Sequence, residues 1–366
     1  MRIAVDATPL LGARTGVGTF VAGLLGALAD RTDADVTAFG VTWRGRARLG
    51  GLVPAGVATC PRPMAARPLR WAWRRGAAPP IEWWTGPVDV VHGTNFLVPP
   101  ARRAAAVVTV HDLTCLHFPE LCDAATLGYP ALLRAAIGRG AVVHAVSRFV
   151  ADEVVEHLGA DRSRVGVAYS GVPDVGDGDA ARGRQLAGSR RYVLALGTVE
   201  PRKDLPLLVR SFDALARERP DLRLVLAGPD GWGVEALTLA LAGAHHRRRV
   251  VRLGWVHEAD RAALLAGATV LAYPSRYEGF GFPPLEAMAA GVPVVATAAG
   301  ALPEVVGDGA ALVPVGDGDA LAGALASVLD DDERREALVA AGRRRVSRYR
   351  WDHCAEGLMA LYRQAG

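Results

Sequence analysis

The sequence predicts an α/β protein with two domains, each built on a parallel β-sheet. The chain has 366 residues, more than the roughly 100 to 200 of a typical single domain. Short apolar runs alternate with helical patterns along most of it, which is typical of parallel strands connected by helices. The alternation stops once, near the middle, in a stretch rich in Gly, Asp and Ser that has the composition of a linker.

The first half of the chain begins with a predicted strand at residues 3–6 and a helix at 17–29. Further strands and helices follow in alternation. They are expected at 106–110, 126–137, 142–146, 149–158 and 164–168. This series predicts an N-terminal Rossmann-like domain over residues 1–172, on one side of a shared cleft.

Residues 173–190 show no apolar period and are predicted to be the linker. A second Rossmann-like domain, which faces the first across the cleft, is predicted over residues 191–348. Its expected strands are 192–196, 222–227, 250–253, 269–273 and 292–296, and its closing helices are 317–329 and 331–347. The segment 349–366 contains a final helical pattern, and we expect it to pack back on the first domain.

The composition limits the class of protein and its location. Half of the residues are hydrophobic (51%) and 22% are charged, which argues against a disordered or fibrous chain. Asp6 interrupts the apolar start, so we expect no secretory signal, and the apolar runs fall short of the ~20 residues of a membrane span. A cytoplasmic protein is therefore expected. Buried, reduced thiols are expected for the cysteines, which lack the spacing of a zinc site. These are Cys60, Cys115, Cys122 and Cys354.

The formal net charge of +4 comes almost wholly from arginine, and Lys203 is the only lysine. A mildly basic balance fits a phosphate-bearing substrate, an anionic membrane face or a nucleic acid, so the charge alone does not select a partner. The single lysine in an arginine-rich chain indicates that arginine would not serve at that position.

Ligands of open α/β sheets bind beyond the carboxyl ends of the strands, so the motifs in those loops matter most. Gly16-Val-Gly18 follows the first strand and opens a helical pattern, where glycines let backbone N–H groups approach a phosphate. The motif lacks the third glycine of the dinucleotide fingerprint and the Lys-Ser or Lys-Thr of a P-loop. Phosphate binding and plain turn glycines are both open at this point.

Two motifs in the second half carry more specific chemistry. Arg202 and Lys203 lie between a strand and a helix, where a guanidinium and an ammonium can neutralise different oxygens of a diphosphate; a solvated surface pair is the alternative. Glu278 and Glu286 bracket a glycine-rich loop, Glu278-Gly-Phe-Gly-Phe-Pro-Pro-Leu-Glu286, with Glu286 expected in the first turn of a helix at 284–290. Carboxylates accept charge-assisted hydrogen bonds from sugar hydroxyls, and helix capping is the alternative for Glu286.

These residues resemble the family 4 retaining glycosyltransferases, which have the GT-B fold, over nearly the whole chain. The resemblance implies that Glu286 holds the nucleotide ribose and Glu278 the hydroxyls of the donor sugar. It also implies that Arg202 and Lys203 bind the diphosphate, and that Gly16 and Gly18 lie near the phosphates and acceptor. Many family members have an arginine where this chain has Thr198, so Arg202 is expected to supply that charge.

The same resemblance extends to backbone contacts with the donor. Gly279, Phe280 and Gly281 are expected to line the donor site, the last two through their N–H groups. The segment Leu253-Gly-Trp-Val-His257 resembles the one whose backbone contacts the base, which places Val256 at the nucleotide. Gly300 and Glu304 match a loop that the family places near the donor.

The first half resembles a subgroup of mannosyltransferases that build polysaccharides. The residues concerned are His92-Gly-Thr-Asn95 and Val110-His-Asp-Leu-Thr114. By this resemblance His111 contacts the donor sugar, although a lone histidine is more often structural. Ser147-Arg148 matches a further position near the cleft.

The resemblance implies hexose transfer with retention of configuration. The expected donor is GDP-mannose, which supplies mannose, and the expected acceptor is a glycan or a lipid-linked molecule. No cofactor is expected besides the nucleotide diphosphate sugar, which is a substrate. No metal is expected either, because neither Asp-x-Asp sequence stands in a suitable loop. One is Asp177-Gly-Asp179, in the predicted linker, and the other is Asp317-Gly-Asp319, at a helix start.

Residues 62–84 combine arginines with tryptophans, a composition that suits an anionic membrane surface carrying lipid-linked acceptors. A loop with inward-packed tryptophans is the alternative. The residues are Arg62, Arg67, Arg70, Arg74, Arg75, Trp71, Trp73, Trp83 and Trp84.

Three other functions share this architecture: a nucleotide-sugar epimerase, a phosphorylase and a non-catalytic nucleotide-sugar-binding protein. The phosphorylase usually needs a lysine-bound pyridoxal cofactor, and the only lysine is already assigned. The complete set of Glu278, Glu286, Arg202, Lys203 and His111 argues against the non-catalytic protein. Nothing in the sequence indicates a nucleic-acid partner.

Overall fold

The computed structural model describes residues 1–12, 15–75, 78–122, 124 and 126–366, without the side chains of Arg74, Arg75 and Leu121. The chain forms two compact units. Unit 1 comprises Met1–Gly171 and Tyr349–Gly366, and unit 2 comprises Val172–Arg348. Each unit has its own parallel sheet, so the predicted fold class, GT-B with two parallel-sheet α/β domains, is confirmed.

The sheet of unit 1 contains seven strands within the described residues, in the order β3-β2-β1-β4-β5-β6-β7, and all its pairings are parallel. Its strands are β1 Arg2–Asp6, β2 Asp35–Phe39, β3 Ala58–Thr59, β4 Val90–Gly93, β5 Ala105–Val110, β6 Val142–Ala145 and β7 Val165–Val167. The strand order reverses between β1 and β4, and such a reversal opens a crevice at the carboxyl ends of the strands.

The helices of unit 1 connect these strands. They are α1 Gly16–Ala29, α2 Arg46–Leu49, α3 Ala66–Arg75, α4 Glu82–Thr85, α5 Thr114–His117, α6 Tyr129–Gly138 and α7 Arg148–Leu158. Short 3-10 turns occur at Thr8–Leu11, Pro119–Leu121, Thr126–Gly128 and Arg162–Arg164. The long helix α1 buries Phe20, Leu24 and Leu28 on one face, a spacing of four residues that suits packing on a sheet.

The sheet of unit 2 has the order β10-β9-β8-β11-β12-β13, again with parallel pairings. Its strands are β8 Arg191–Leu196, β9 Leu222–Ala227, β10 Val250–Gly254, β11 Val270–Tyr273, β12 Val294–Thr297 and β13 Ala310–Val313. The central strand β8 buries both Val193 and Leu194, because helices cover both faces of a parallel sheet. Its order reverses between β8 and β11, where a second ligand crevice is expected.

The helices of unit 2 are α8 Ala180–Ala187, α9 Leu205–Ala216, α10 Val234–Gly243, α11 Glu258–Gly267, α12 Phe282–Ala289, α13 Leu302–Val306, α14 Gly318–Asp330 and α15 Asp332–Val346. Its 3-10 turns lie at Pro201–Lys203, Arg247–Arg249 and Gly307–Gly309.

The prediction of a linker over 173–190 is wrong for its second half, where α8 packs on α11 as part of unit 2. Asp179 caps this helix by accepting hydrogen bonds from the N–H groups of Ala181 (2.8 Å) and Arg182 (3.2 Å). A Cβ on Gly183 would lie 2.0 Å from the carbonyl oxygen of Ala263, so the two helices touch through backbone. Because small residues make this contact, the helix lacks the apolar period by which it could have been recognised.

The final helix, α16 Trp351–Ala365, belongs to unit 1 and packs against α1. It buries Cys354, Leu358 and Tyr362 at a four-residue spacing. A Cβ on Gly23 would lie 2.2 Å from the Trp351 ring, so a glycine on α1 makes room for this tryptophan. Among the described residues, none of the helices combines the length and apolar character needed to cross a lipid bilayer.

Candidate active site

A pocket of about 330 Å³ lies in unit 2 at the carboxyl ends of β8, β9, β10 and β11. This is the edge of the sheet at which its strand order reverses. Its lining residues fall in strand-end segments, namely 195–199, Lys203, Leu205, 226–228, Asp230, 252–254 and 272–275. The predicted residue Lys203 is among them, as are Leu253 and Gly254 of the segment expected to contact the base.

Glycine backbone forms much of the inner wall of this pocket. Gly197 and Gly228 have φ values of +134° and +155°, which side chains rarely adopt. A Cβ on Gly228 would lie 1.9 Å from the carbonyl oxygen of Gly197, so the loops after β8 and β9 touch directly. Gly228 also donates its N–H to the carbonyl of Gly254 (2.7 Å), which joins the loop after β10. The pocket therefore presents backbone to a ligand.

Lys203 is a buried residue of the pocket wall. It ends the 3-10 turn before α9, and the next residue, Asp204, caps that helix. Its ammonium donates to the Tyr273 hydroxyl and to Oε1 of Glu278 (2.5 Å), and it lies 4.4 Å from the centroid of the Tyr273 ring. An ammonium has three N–H donors, so these two hydrogen bonds leave one for a ligand in the pocket.

Arg202 lies between two carboxylates. Its Nη1 is 2.8 Å from Oε1 of Glu278, and its Nε donates to Oε2 of Glu200 (2.8 Å). The structure thus brings Arg202, Lys203 and Glu278 together, and Tyr273 adds a hydroxyl that donates to the same Oε1 (2.9 Å). We call Arg202, Lys203, Tyr273 and Glu278 the cationic cluster.

Opposing effects set the ionisation of this cluster. Burial alone would raise the pKa of Glu278, but the charges of Arg202 and Lys203 outweigh it and lower that pKa to about 2. The pKa of Lys203 is lowered, because its burial and the charge of Arg202 outweigh the attraction of Glu278. Glu278 is therefore ionised at neutral pH and holds both cations in place.

The backbone of Glu278 is fixed by the loop after β12. Ala301 donates its N–H to the Glu278 carbonyl (2.8 Å). Gly300 has φ +54°, and a Cβ there would lie 2.3 Å from the same carbonyl oxygen. Gly300 therefore allows the backbone of its loop to lie close to the backbone of Glu278. Glu304, on α13, accepts a hydrogen bond from Arg345 at its backbone carbonyl.

Glu286 lies in the second turn of α12, and the prediction that it occupies the first turn is wrong. The helix begins at Phe282, earlier than expected, because Gly281 at φ +114° can start it there. Glu286 is buried and forms an ion pair with Arg261 of α11, so it is neither a cap nor a partner of the cationic cluster. Burial raises the pKa of Glu286, although Arg261 opposes the rise.

The other predicted donor residues of unit 2 frame the loop between Glu278 and Glu286. Gly279, Phe280 and Gly281 are buried, and the Phe280 ring packs edge-on to Phe282 at 5.2 Å. Val256 lies between β10 and α11 and is partly buried.

In unit 1, Gly16 and Gly18 lie in the first turn of α1. His111 follows β5, and its Nε2 donates to the carbonyl of Thr94 (2.8 Å). Burial lowers the pKa of His111, so the imidazole is neutral at pH 7. The bond to Thr94 fixes the tautomer and directs Nδ1 as the acceptor.

His92 belongs to a buried hydrogen-bond chain. The Tyr362 hydroxyl contacts its Nδ1 (2.7 Å), and its Nε2 contacts Oγ1 of Thr109 (2.7 Å). Thr109 in turn contacts Nδ1 of His144 (2.9 Å), whose Nε2 contacts the Ala168 carbonyl (2.9 Å). The hydroxyls and imidazoles can each donate one hydrogen bond and accept one along this series. The series connects Tyr362 of α16 to strands of the sheet. His92 is thus structural, and Ser147 caps α7 by accepting from Val150 N–H (3.2 Å).

Comparison with known proteins identifies the family. Residues 179–345 match the model described as glycosyl transferases group 1, and residues 14–174 match that of glycosyltransferase family 4. The O-antigen chain mannosyltransferase B of Escherichia coli is 31% identical over 283 residues, which cover 75% of this chain and 74% of the relative. The chain belongs to the family 4 glycosyltransferases. This glycosyltransferase is also 33% identical to a D-inositol 3-phosphate glycosyltransferase of a Nocardioides species. The match covers 80% of the present chain and 70% of the relative.

Solved structures share the fold of this glycosyltransferase at low sequence identity. Sucrose-phosphate synthase of Thermosynechococcus elongatus has a TM-score of 0.75 at 21% identity, covering all of this chain and 98% of the other. HepE of Anabaena, in complex with UDP and glucose, has a TM-score of 0.74 at 20% identity and full coverage of both chains. WaaG, which is involved in lipopolysaccharide biosynthesis, has a TM-score of 0.74 at 18% identity, covering 99% of this chain and 98% of WaaG.

Sequence reasoning missed several residues of the glycosyltransferase site. Tyr273 ends a strand, and Arg261 lies on a helix; neither belongs to a local motif, and each reaches the site through folding. Gly228 could have been found, because it lies at the carboxyl end of a predicted strand; Gly254 belongs to the segment 253–257 that was expected to contact the base.

The two Asp-x-Asp sequences of the glycosyltransferase have structural roles at helix starts. Asp179 caps α8, and Asp317 caps α14 by accepting from Ala320 N–H (2.9 Å). Among the cysteines, Cys60, Cys115 and Cys354 are buried and Cys122 is partly buried, all as free thiols.

Some tryptophans of residues 62–84 are exposed, as a membrane-contacting surface would need, and others pack inward, as in an ordinary loop. Trp71 and Trp83 are 60% and 61% exposed, whereas Trp73 is buried and donates to the Pro79 carbonyl (2.9 Å). Trp84 is partly buried and donates to the Pro63 carbonyl (2.9 Å). The side chains of Arg74 and Arg75, and residues 76–77, lie outside the described part of the chain.

Proposed function

We propose that this glycosyltransferase moves a hexose from a nucleotide diphosphate sugar to a glycan or lipid-linked acceptor. The cationic cluster beside the unit 2 pocket carries the proposal. Lys203 lines the pocket, and Arg202 contacts the same Glu278 oxygen as Lys203, so both cations would lie close to a departing diphosphate. Glu278 would accept hydrogen bonds from the sugar hydroxyls, and Glu286 from the ribose.

Backbone groups would complete the donor site. The N–H groups of Phe280 and Gly281 would face the donor, and Val256 would lie near the base. Gly16 and Gly18 would lie near the phosphates and the acceptor. His111, neutral with Nδ1 as an acceptor, suits a hydrogen bond from a sugar hydroxyl.

Mannose from GDP-mannose is the donor we propose. A relative at 31% identity is a mannosyltransferase, whereas the neighbour solved with UDP and glucose is only 20% identical. The donor test is a thermal-shift screen against GDP, UDP, ADP and dTDP and their hexose conjugates, because a ligand that binds the folded state raises its melting temperature. GDP-mannose should give the largest shift. A shift confined to another base would overturn this donor, and no shift with any nucleotide would overturn the pocket as a donor site.

A matched pair of variants ties binding to the cationic cluster. Lys203→Met removes the cation from the pocket, and Arg210→Met removes an exposed cation from α9 in the same unit. We expect the GDP-mannose shift to disappear only in Lys203→Met, and transfer to fall by about 100-fold or more, as on loss of one donor at a developing charge. Equal shifts in both variants would contradict the assignment.

The reaction is proposed to proceed with retention of configuration and without a metal ion. Fixed cations and N–H groups directed at the diphosphate supply the stabilisation that a metal gives in other transferases. Turnover should persist in EDTA, and the anomeric signal of the product, followed by NMR, should match that of the donor. Activity lost in EDTA and restored by manganese would refute the metal-free mechanism, and an inverted product would refute retention.

Residues 62–84 are proposed to contact an anionic membrane peripherally. Trp71 and Trp83 supply exposed aromatic surface, and Arg67 and Arg70 are also exposed. Flotation with vesicles containing phosphatidylglycerol tests this contact. Trp71→Ala/Trp83→Ala should reduce flotation, Trp232→Ala in unit 2 should leave it unchanged, and absence of flotation by the parent protein would exclude the contact.

A further inference from the structure

Unit 1 contains a cluster of potential metal ligands that the glycosyltransferase site does not use. His117 ends α5, and Glu153 and His157 lie one turn apart on α7. One ligand atom from each residue lies within 4.8 Å of the other two, and the described part of the chain contains no other such group of three. Nε2 of His117 is already 2.6 Å from Oε1 of Glu153.

We propose that His117, Glu153 and His157 bind a zinc ion that joins α5 to α7. Two imidazoles and one carboxylate form a ligand set that zinc accepts, with the fourth position left to water. The i, i+4 spacing of Glu153 and His157 places both side chains on one face of the helix. His117 approaches that face from a different element, so the ion would form a cross-link.

The present geometry needs only a small adjustment to hold the ion. Zinc bonds of about 2.0 to 2.2 Å at tetrahedral angles place ligand atoms roughly 3.3 Å apart. The His117–Glu153 contact would open slightly, and His157 would move inward by a rotation of its side chain. The two imidazole rings are already close, with centroids 5.0 Å apart and nearly perpendicular planes.

Burial and access both suit a bound cation. The Glu153 side chain is only 9% exposed, and buried carboxylates are normally paired or coordinate a metal. The His117 side chain is 31% exposed, which gives an ion a route from solvent. Arg134 of α6 donates to the backbone carbonyl of His157 (3.1 Å).

The site would act on a loop and not on the chemistry of transfer. His111 lies six positions before His117, and α5 connects them, so the ion would limit the motion of the segment that carries His111. Removal of this zinc ion by EDTA is therefore compatible with continued turnover. The site also does not depend on which sugar is transferred.

Calorimetric titration of the chelator-treated full chain with zinc chloride tests the proposal. We expect one saturating site, a raised melting temperature and slower hydrogen exchange in residues 112–118. His117→Gln and His157→Gln should each weaken binding by at least about tenfold, the scale found even for changes to outer-shell partners. His246→Gln is the control, because His246 pairs with Asp213 (3.0 Å) and belongs to no group of three ligands among the described residues.

Cobalt provides a second readout that does not depend on stability. Cobalt bound by this set should show the intense visible absorption of a tetrahedral site, and His157→Gln should lose it while keeping the parent circular dichroism. Zinc affinity unchanged in both His117→Gln and His157→Gln would overturn the proposal, since the ion would then be held elsewhere. Absence of saturable binding by the parent protein would overturn it as well and leave His117–Glu153 as an ion pair.

Discussion

Replacing Glu278 by glutamine tests whether the buried cluster is held by charge. The substitution keeps the shape of the side chain and removes the carboxylate that both Arg202 and Lys203 contact. The pKa of Glu278 is held at about 2 against an ordinary 4.5, and one pKa unit corresponds to about 1.4 kcal/mol. The ionised form therefore contributes about 3 kcal/mol to the folding of unit 2. In the variant, Lys203 can release its proton and so avoid being an unpaired buried charge. About 3 kcal/mol is therefore an upper value for the loss of stability.

The sign of the effect fixes its dependence on pH. Because the pKa of Glu278 is lower in the folded chain, its stabilisation is complete above about pH 4.5 and is lost as the pH falls towards about 2. The difference in free energy of unfolding between the parent protein and Glu278→Gln should be largest at pH 7 and shrink below pH 4.5. Urea unfolding followed by tryptophan fluorescence, at pH 7, 5 and 3.5, measures it.

Asp330→Asn is the matched control in the same unit. Asp330 also pairs with two arginines, Arg219 (Nε to Oδ1, 3.2 Å) and Arg191 (3.8 Å), but its side chain is 49% exposed. Water screens such a pair, so its loss should change the free energy of unfolding by at most about 1 kcal/mol. Equal losses in the two variants, or a loss in Glu278→Gln that does not change with pH, would refute the reasoning from burial.

Two further substitutions test the supports of the two units. Gly300→Ala should destabilise unit 2 by about 1 to 3 kcal/mol in urea unfolding, since φ +54° is strained for alanine and its Cβ would strike the Glu278 carbonyl. Gly243→Ala is the control, because nothing lies within 4 Å of a Cβ at that position. Equal stability of the two variants would contradict the close packing at Gly300. Tyr362→Phe leaves Nδ1 of His92 without its hydroxyl and should cost about 1 to 3 kcal/mol, with faster hydrogen exchange in α16. Unchanged exchange there would show that the hydrogen-bond chain does not hold the helix.

The sequence predicted elements well where one apolar run forms one buried element. The strand at 222–227 was found with its bounds, and the strand expected at 142–146 differs from β6 by one residue. The edge strand β3 was missed because it has only two residues, and α8 was missed because glycine and alanine make its contact. The strands β2, β4 and β13 were also not among those expected. Both β3 and α8 make their contacts with distant parts of the chain, and neither has a hydrophobic pattern of its own in the sequence.

The site divides in the same way between local and long-range features. The glycine-rich loop and the adjacent Arg202 and Lys203 are contiguous in sequence, so motif reasoning could find them. Arg261 and Tyr273 reach Glu286 and Glu278 through pairing that is visible only after folding. The sequence predicts that both glutamates address one ligand, and the fold adds that each has its own cationic partner.

The balance of charge at the pocket bears on how it would recognise an anion. Arg202 and Lys203 are matched in number by Glu200 and Glu278, and Arg252 in the pocket wall pairs with Asp230 (2.7 Å). A pocket with paired charges creates little long-range field, so a diphosphate would be selected by the direction of N–H donors at short range. The carboxylates keep the cations ordered before a ligand arrives, which lowers the entropy lost on binding. The pairing that stabilises unit 2 through Glu278 would therefore also hold the N–H donors in a fixed direction before a ligand binds.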